Sequence, residues 1–491
     1  MNQSVIRYIL GQILKIEGLL LTVPGIVGLC YHESEAFSYF IVAGLSLILG
    51  FIATIKKPES SVFYLKEGCV TTALSWIILS IFGCFPFVLN GEIPSFINAL
   101  FETASGFTTT GASILNDVEV ISHASLFWRS LTHWIGGMGI LVFMLAVVPL
   151  SGGSNINLMR AESPGPAVGK LVPRIKGTAQ ALYIIYFFLT LLEFILLLFG
   201  GMDVFESACT SLGTAGTGGF GIKNSSLGDY NTYCQWVVTV FMILFGVNFN
   251  MYYLLFLRQI KKAFAMEEVK AYFVIIICAI CLITANIYSM CDGFGDAVTK
   301  AAFQVGSIIT TTGFSTTDFN LWPSFSKVIL VLLMFIGACA GSTGGGIKVS
   351  RIIVAYKTFL KETLTYIHPK SVRRLMVDKR PLDHDVIRSV NVFLITYMML
   401  FVFSLLIISL EGKDLVTTFT AVAATINNIG PGLSEVGPIS NFSDFSALSK
   451  VVLIFDMLAG RLELFPMLIL FHPSIWKSMI SRRIHHSSED N

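Results

Sequence analysis

The sequence predicts an all-α integral membrane protein in which a helix, a re-entrant loop and a second helix recur four times, preceded by two extra N-terminal transmembrane helices. Three observations carry that prediction: a composition too apolar for a water-facing surface, a row of apolar runs long enough to cross a bilayer, and four glycine-bearing returns at matching places. Of the 491 residues, 54% are hydrophobic and 13% charged, with a mean hydropathy of +0.74. Soluble domains carry about 25% charged residues, so lipid must be the solvent here. The formal net charge of +2 leaves neither a basic footprint for nucleic acid nor an acidic tail.

Crossing roughly 30 Å of hydrocarbon takes about 20 apolar residues. Candidate spans near 16–33 and 37–55 form a two-helix unit over residues 1–60. The first repeat, 61–160, holds spans at 68–90 and 124–149; the second, 161–265, holds 180–201 and 233–256. The third, 266–380, holds 270–290 and a span at 326–340 that continues at 347–362. The fourth, 381–491, holds 387–410, 449–471 and a polar tail. Arg7 and Lys15 precede the first apolar stretch without a small-residue cleavage site, so that stretch is expected to remain as an anchor.

Charge orients the spans. Lys56-Lys57, Arg160 through Lys176, Arg258 through Lys270, Lys370 through Arg380 and Lys477 through Arg483 are rich in Lys and Arg, whereas 32–36, 91–122, 204–232, 291–325 and 411–448 are poor in them. By the positive-inside rule the first set is cytoplasmic and the second external, with both termini cytoplasmic.

Each of the last four external segments opens with a short run such as SFINALFETASGFTTTG, too apolar for a solvated loop and too short to span. The returns read Thr108-Thr109-Thr110-Gly111-Ala112, Gly216-Thr217-Gly218-Gly219-Phe220, Thr310-Thr311-Thr312-Gly313-Phe314 and Asn427-Asn428-Ile429-Gly430-Pro431. Aligned on their last glycines, they define an internal repeat of roughly 100 residues. Phe101 and Phe303 match ten residues upstream, and the second and fourth units have lost that register.

Irregular backbone at membrane depth survives only where protein buries it or water lines it, so four such stretches imply a shared polar cavity. Backbone carbonyls arranged in a ring can replace a cation's hydration shell. Glycine admits φ > 0 and lets carbonyls face an axis, and neighbouring threonines add hydroxyls. The short helix before each return ends with about half a negative charge, which favours a cation. No acid lies within the four returns, which argues for a monovalent ion rather than calcium or magnesium. The fold class is therefore four M1–pore-loop–M2 repeats around a central pore. The candidate ion-binding residues are Thr109, Thr110, Gly111, Thr217, Gly218, Gly219, Thr311, Thr312, Gly313, Asn428, Ile429 and Gly430.

A second set of features lies in the outgoing spans. Ile336 through Lys348, rich in glycine and small residues, interrupts the third. Regular helix there costs roughly 1 kcal/mol per glycine, and a mobile intramembrane loop that blocks or opens the pore is expected. It is not a nucleotide-binding P-loop, because Ile347 stands where the lysine belongs. Arg461 falls near the middle of VVLIFDMLAGRLELFPMLILF, where an arginine costs about 2.5–3.5 kcal/mol. Its neighbours at i±4, Met457 and Phe465, are not acids, so it must find partners on another element. The candidate gate comprises Gly341, Thr343, Gly344, Gly345, Gly346, Lys348 and Arg461. His133 precedes Trp134-Ile135-Gly136-Gly137-Met138-Gly139 and reads as a packing or hydrogen-bonding residue, its glycines fitting close helix contact. The nine cysteines sit mostly in apolar runs as small hydrophobes; Cys278 and Cys281 lack the partners of a zinc or redox site.

Thr108 through Gly111, SLTHWIGGMGI from Ser130, GTAGTGGFGIKNSS from Gly213, SIITTTGFSTTD from Ser307, GSTGGGIK from Gly341 and MLAGRLEL from Met457 together resemble the Trk/Ktr/HKT superfamily of potassium transporters over nearly the whole chain. The two extra N-terminal spans resemble its TrkH-like branch rather than the KtrB branch. The resemblance implies a homodimer with one pore per subunit and no covalently bound cofactor, potassium being the transported ion. The four glycines Gly111, Gly219, Gly313 and Gly430 would form the filter, and Gly337 through Gly346 with Arg461 the gate. It also implies a cytosolic ring of TrkA-like nucleotide-binding (RCK) regulatory subunits, and a place in the cell inner or plasma membrane among lipid. In related plant transporters a serine at the first filter position accompanies sodium transport, so Gly111 favours potassium. Pro431-Gly432 and Thr217-Gly218 depart from the simplest filter pattern.

The alternative is a secondary transporter coupling potassium to sodium or protons, a symporter. Such folds usually show inverted repeats with helices broken at mid-membrane, whereas these four repeats share one orientation. An enzyme is not expected, since nothing pairs a nucleophile with a base.

Overall fold

The structure is a computed structural model describing residues 2–58, 64–139, 175–368 and 374–473. The end of the predicted span 124–149, most of the basic stretch from Arg160 to Lys176 and the basic tail from Lys477 lie outside the described residues. Six described helices are long and apolar enough to cross a membrane, or seven if one bent pair is a single span. They include α1 (Gln3–Cys30), α2 (Ala36–Thr54) and α3 (Leu65–Leu89). Helix α1 begins well before the expected residue 16, because Asn2 caps it by accepting from the Val5 amide.

Helices α1 and α2 pack along their length. Gly11 lies against Ala53 and Thr54, Gly18 against Leu47, and Gly50 against Gly11 itself. Small residues let helix backbones approach closely where no hydrophobic effect drives them together. The outer face of α2 leaves Phe37, Ile41, Ile48, Phe51 and Ile52 exposed. A run of large apolar side chains of this kind belongs against lipid.

Four short helices follow, each leading into one of the glycine-bearing returns: α4 (Phe96–Phe107), α7 (Val204–Gly216), α12 (Phe294–Ile309) and α16 (Leu415–Ile426). Between the first two lie α5 (His123–Met138) and α6 (Ile175–Phe199). Then come α8 (Thr232–Phe245), α9 (Phe249–Phe256), a single turn α10 (Ile260–Ala263) and α11 (Glu267–Ile287). After α12 come α13 (Ser324–Ile336) and α14 (Val349–Ile367), and a two-residue hairpin pairs Met376 with Pro381 and Val377 with Arg380. The last helices, flanking α16, are α15 (His384–Ile408), α17 (Ala447–Arg461) and α18 (Phe465–Ile469).

Capping repeats with the units. Ser122, Asn231 and Ser446 each accept from the amide three residues on, at 3.3, 2.8 and 3.3 Å, and so start α5, α8 and α17. Asp203 and Asp414 cap two of the short helices, accepting from the amides of Phe205 and of Val416 and Thr417.

Interruption of the outgoing helices is more general than the sequence suggests. Only the third was expected to break, yet α5, α8, α13 and α17 end after 16, 14, 13 and 15 residues. Gly139 and Gly337 take positive φ at two of these ends. At the third, α8 and α9 meet at 90° across Gly246-Val247-Asn248, so the expected single span 233–256 is a bent pair. The fourth break falls inside the expected span 449–471, where Glu463 and Leu464 both adopt left-handed backbone. Arg461 is therefore the last residue of a helix, not the middle of one.

Candidate functional site

Each short helix ends in the same hydrogen-bonded turn. The amides of Thr110, Gly218, Thr312 and Ile429 each bond a carbonyl five residues back, on Ser105, Gly213, Ser307 and Ala424, all at 2.9 Å. This is the left-handed C-terminal turn that satisfies a helix's last carbonyls. Thr109, Thr217, Thr311 and Asn428 supply its left-handed residue, with φ between 54° and 59°. Two positions on, Gly111, Gly219, Gly313 and Gly430 return to positive φ, at 77°, 78°, 87° and 92°. The residues between do not. Four segments thus share one unusual backbone path although their sequences differ.

The four returns meet. A Cβ on Gly111 would strike the carbonyl oxygen of Gly218, one on Gly219 that of Thr312, and one on Gly313 that of Ile429. A Cβ on Gly430 would lie 2.7 Å from the carbonyl oxygen of Thr110, which closes the circuit. Each glycine abuts the residue before the next unit's glycine, in the order first, second, third, fourth, first. All four glycines line one cavity of about 150 Å³, whose wall also includes Asn224, Ser226, Asn441 and Arg129 and holds no Asp or Glu. Glycine is required here twice over, for its φ and for the absent Cβ. The Thr109 hydroxyl and the Asn428 side-chain amide oxygen are buried without a hydrogen-bond partner among the described residues.

Beneath the ring runs the loop from Gly337 to Lys348. The Gly345 amide donates to the Thr311 hydroxyl at 2.6 Å. Gly345 faces the Asn427 carbonyl and Gly344 the Thr310 carbonyl, with no room for a side chain on either. The Thr343 hydroxyl donates to the Phe245 carbonyl at 3.2 Å. Lys348 Nζ donates to the Gly344 carbonyl, and the Phe249 amide to that of Gly341 at 3.0 Å. Glu268, on α11, accepts from Ala340 and Asn248 at 2.6 and 3.1 Å, pinning the loop's other flank.

Arg461 ties this loop to α5. Its guanidinium donates to the Thr343 carbonyl at 2.7 Å and to the carbonyls of Gly136 and Gly137 on α5. Its partners therefore lie on other elements. Close below, Arg351 pairs with Glu463 and stacks on Phe393. The predicted gate residues Gly341, Thr343, Gly344, Gly345, Gly346, Lys348 and Arg461 all belong to this one assembly.

Sequence reasoning singled out His133 as a hydrogen-bonding residue but missed the ion pair beside it. Arg129 and Glu102 form a buried ion pair at 2.8 Å. Glu102 also accepts from the Ile114 amide, and Arg129 donates to the Gly221 carbonyl at 3.1 Å. One turn along α5, His133 Nδ1 lies 2.8 Å from the Gly106 carbonyl, and Nε2 accepts the Phe220 amide at 3.3 Å. The signal available was a buried-looking Glu on α4 and a basic pair spaced i, i+4 on α5. Among the described residues no group of three or more His, Cys, Asp or Glu is placed to hold a metal.

The family of TrkH cation transport proteins matches residues 36–478. The chain is 34% identical over 488 residues to the Trk system potassium uptake protein TrkH of Escherichia coli K12, covering 97% of this chain and all of that protein. It is 35% identical to the TrkH of Vibrio parahaemolyticus, covering 97% of this chain and 99% of the relative. The crystal structure of the potassium transporter TrkH from V. parahaemolyticus superposes with a TM-score of 0.87 at 31% identity, over 97% of this chain and 100% of that one.

Proposed function

The chain belongs to the TrkH family of cation transport proteins, and we propose that it takes up potassium across the cell membrane as the channel-like translocating subunit of a Trk-type system. The observation that carries this reading is the closed circuit of Gly111, Gly219, Gly313 and Gly430 around one acid-free cavity. Main-chain carbonyls set by alternating left- and right-handed residues replace the hydration shell of a dehydrated monovalent ion. The ends of α4, α7, α12 and α16 add their negative poles, and the unpartnered oxygens of Thr109 and Asn428 offer further ligands.

The loop around Gly344 and Gly345 obstructs the path on the inner side, and Arg461 holds it there while placing a positive charge beside the cation route. Opening withdraws both. The subunit works as a homodimer with one pore per protomer, its termini cytoplasmic, and a cytosolic nucleotide-binding subunit supplies the signal that moves the loop. The relatives' designation as parts of a Trk system supports such a partner.

The test is rubidium flux into liposomes holding the purified chain, with sodium and lithium as competitors. Flux down a rubidium gradient alone, resisted poorly by sodium, is expected. Flux that appears only with a second ion gradient would instead identify a coupled symporter.

A further inference from the structure

Phe220, the residue after the second filter glycine, is held in a clamp from the first repeat. The Arg129 guanidinium lies 4.0 Å from its ring centroid and the His133 ring 4.3 Å from it. Both clamp residues also grip the first short helix: Arg129 through Glu102, His133 through the Gly106 carbonyl. Two side chains spaced i, i+4 on α5 therefore bind two positions spaced i, i+4 on α4, and the same two side chains hold Phe220 and Gly221. We propose that His133, supported by Arg129, is a positioning residue that sets the separation of the first and second filter segments and so contributes to the choice of potassium over smaller cations.

The partners dictate the state of the imidazole. A carbonyl oxygen faces Nδ1, which must therefore carry hydrogen, and an amide N–H faces Nε2, which must offer a lone pair. Only the neutral Nδ1–H tautomer meets both. The ring is also a wedge: a Cβ on Gly218 would run into it, and one on Gly216 into the His133 carbonyl. Gly106 O and Phe220 N belong to different filter units, so the ring works as a strut of fixed length between them. A smaller ion needs the carbonyl ring to contract, and a rigid strut behind it resists that contraction.

The other junctions are made differently. Between the second and third units, Leu227 donates to the Ser315 carbonyl at 2.9 Å and Ser226 accepts the Ser315 amide at 3.2 Å. Between the third and fourth, Asn320 and the Ser434 backbone exchange bonds at 3.2 and 2.9 Å. Between the fourth and first, Asn428 donates to the Thr110 hydroxyl at 2.9 Å. Among the described residues, the first-to-second junction alone carries a buried imidazole and a buried ion pair directly behind the filter.

This inference rests on the filter reading, and the experiment separates the two. Proteoliposomes of the full chain, its His133→Leu and His133→Gln variants and Gly219→Ser are compared for rubidium uptake against sodium competition. His133→Leu is expected to lower the rubidium preference about fivefold, the effect of losing one to two buried hydrogen bonds. His133→Gln keeps a donor and an acceptor and is expected to restore most of it, which a mere packing role would not predict. If Gly219→Ser alters the preference while both His133 variants match the parent, the clamp is overturned and the filter stands. If Gly219→Ser leaves the preference unchanged, the filter reading falls and the clamp with it. Should the leucine variant fail to fold, nitrogen-15 NMR of histidine in the parent protein decides. The neutral Nδ1–H tautomer at His133 is expected, and an imidazolium or an Nε2–H tautomer there overturns the proposal.

Discussion

Arg461 donates to the carbonyl of Thr343 across 2.7 Å, joining the end of the fourth outgoing helix to the apex of the loop beneath the ring. The same guanidinium reaches Gly136 and Gly137, so one side chain joins α17, α5 and the loop. A half-buried charge retained in this way satisfies carbonyls that broken helices leave open, and it anchors the loop at Thr343.

Replacing Arg461 by alanine removes both effects. Rubidium flux is expected to rise about tenfold, the size of one lost charge-assisted hydrogen bond on the closed state. Stopped-flow uptake with a monodisperse variant measures it. Lower flux in well-folded protein would show that Arg461 serves as a structural tie only.

Gly345 has the Asn427 carbonyl where a side chain would go, and its amide donates to Thr311. Gly345→Ala must push the loop away from the fourth return or distort that return. The expected outcome is higher basal flux and weaker dependence on the cytosolic partner. Single-channel or liposome flux with and without that partner distinguishes this from a closed-locked loop, which would give the opposite sign.

Much of this arrangement was legible in the sequence, and the limits have physical causes. The four glycine returns could be aligned because each needs a residue without Cβ, and the structure gives all four a positive φ, between 77° and 92°. The loop at Gly337 was visible because glycine runs oppose helix. The breaks after Phe245 and Arg461 were hidden: at the first, Asn248 caps the next helix and hydrogen-bonds to Glu268 on α11, and at the second Glu463 and Leu464 are left-handed, neither of which apolar periodicity can reveal. Glu102 and Arg129 were overlooked because 27 residues separate them and neither is unusual alone. Pairing between elements is a tertiary fact.

That pair yields a stability prediction. Breaking a buried ion pair leaves one uncompensated charge and costs about 3–5 kcal/mol. Arg129→Ala is therefore expected to lower the melting temperature markedly, whereas Arg129→Ala with Glu102→Ala together should lose less than the sum of the single changes. A thermal-shift double-mutant cycle reads the coupling, and strict additivity would mean that the two side chains act independently.

Gly111 has left-handed backbone, and a side chain there would collide with the Gly218 carbonyl. Gly111→Ser costs about 1–2 kcal/mol in backbone strain and forces the first and second returns apart. A lowered preference for rubidium over sodium is expected in competition assays. Ion ratios equal to the parent's would remove Gly111 from the filter.

Asp414 caps the fourth short helix, accepting from the amides of Val416 and Thr417 at 3.0 and 3.1 Å. The Thr417 hydroxyl and these amides hold its carboxyl below the usual carboxylate range. A depressed folded-state value means that the cap's contribution is present above the unfolded carboxylate's pKa and is lost as pH falls through the folded one. Asp414→Ala should cost about 1 kcal/mol at neutral pH, the usual worth of such a cap. Because α16 leads directly into Asn428 and Gly430, the loss should appear in flux as well as in stability. Melting curves of parent and variant should differ by a constant amount from pH 8 to pH 5, values bracketing the plateau above a carboxylate's titration. They should converge only in stronger acid. A gap that closes between those neutral values would mean that another group, not Asp414, sets the stability of this helix.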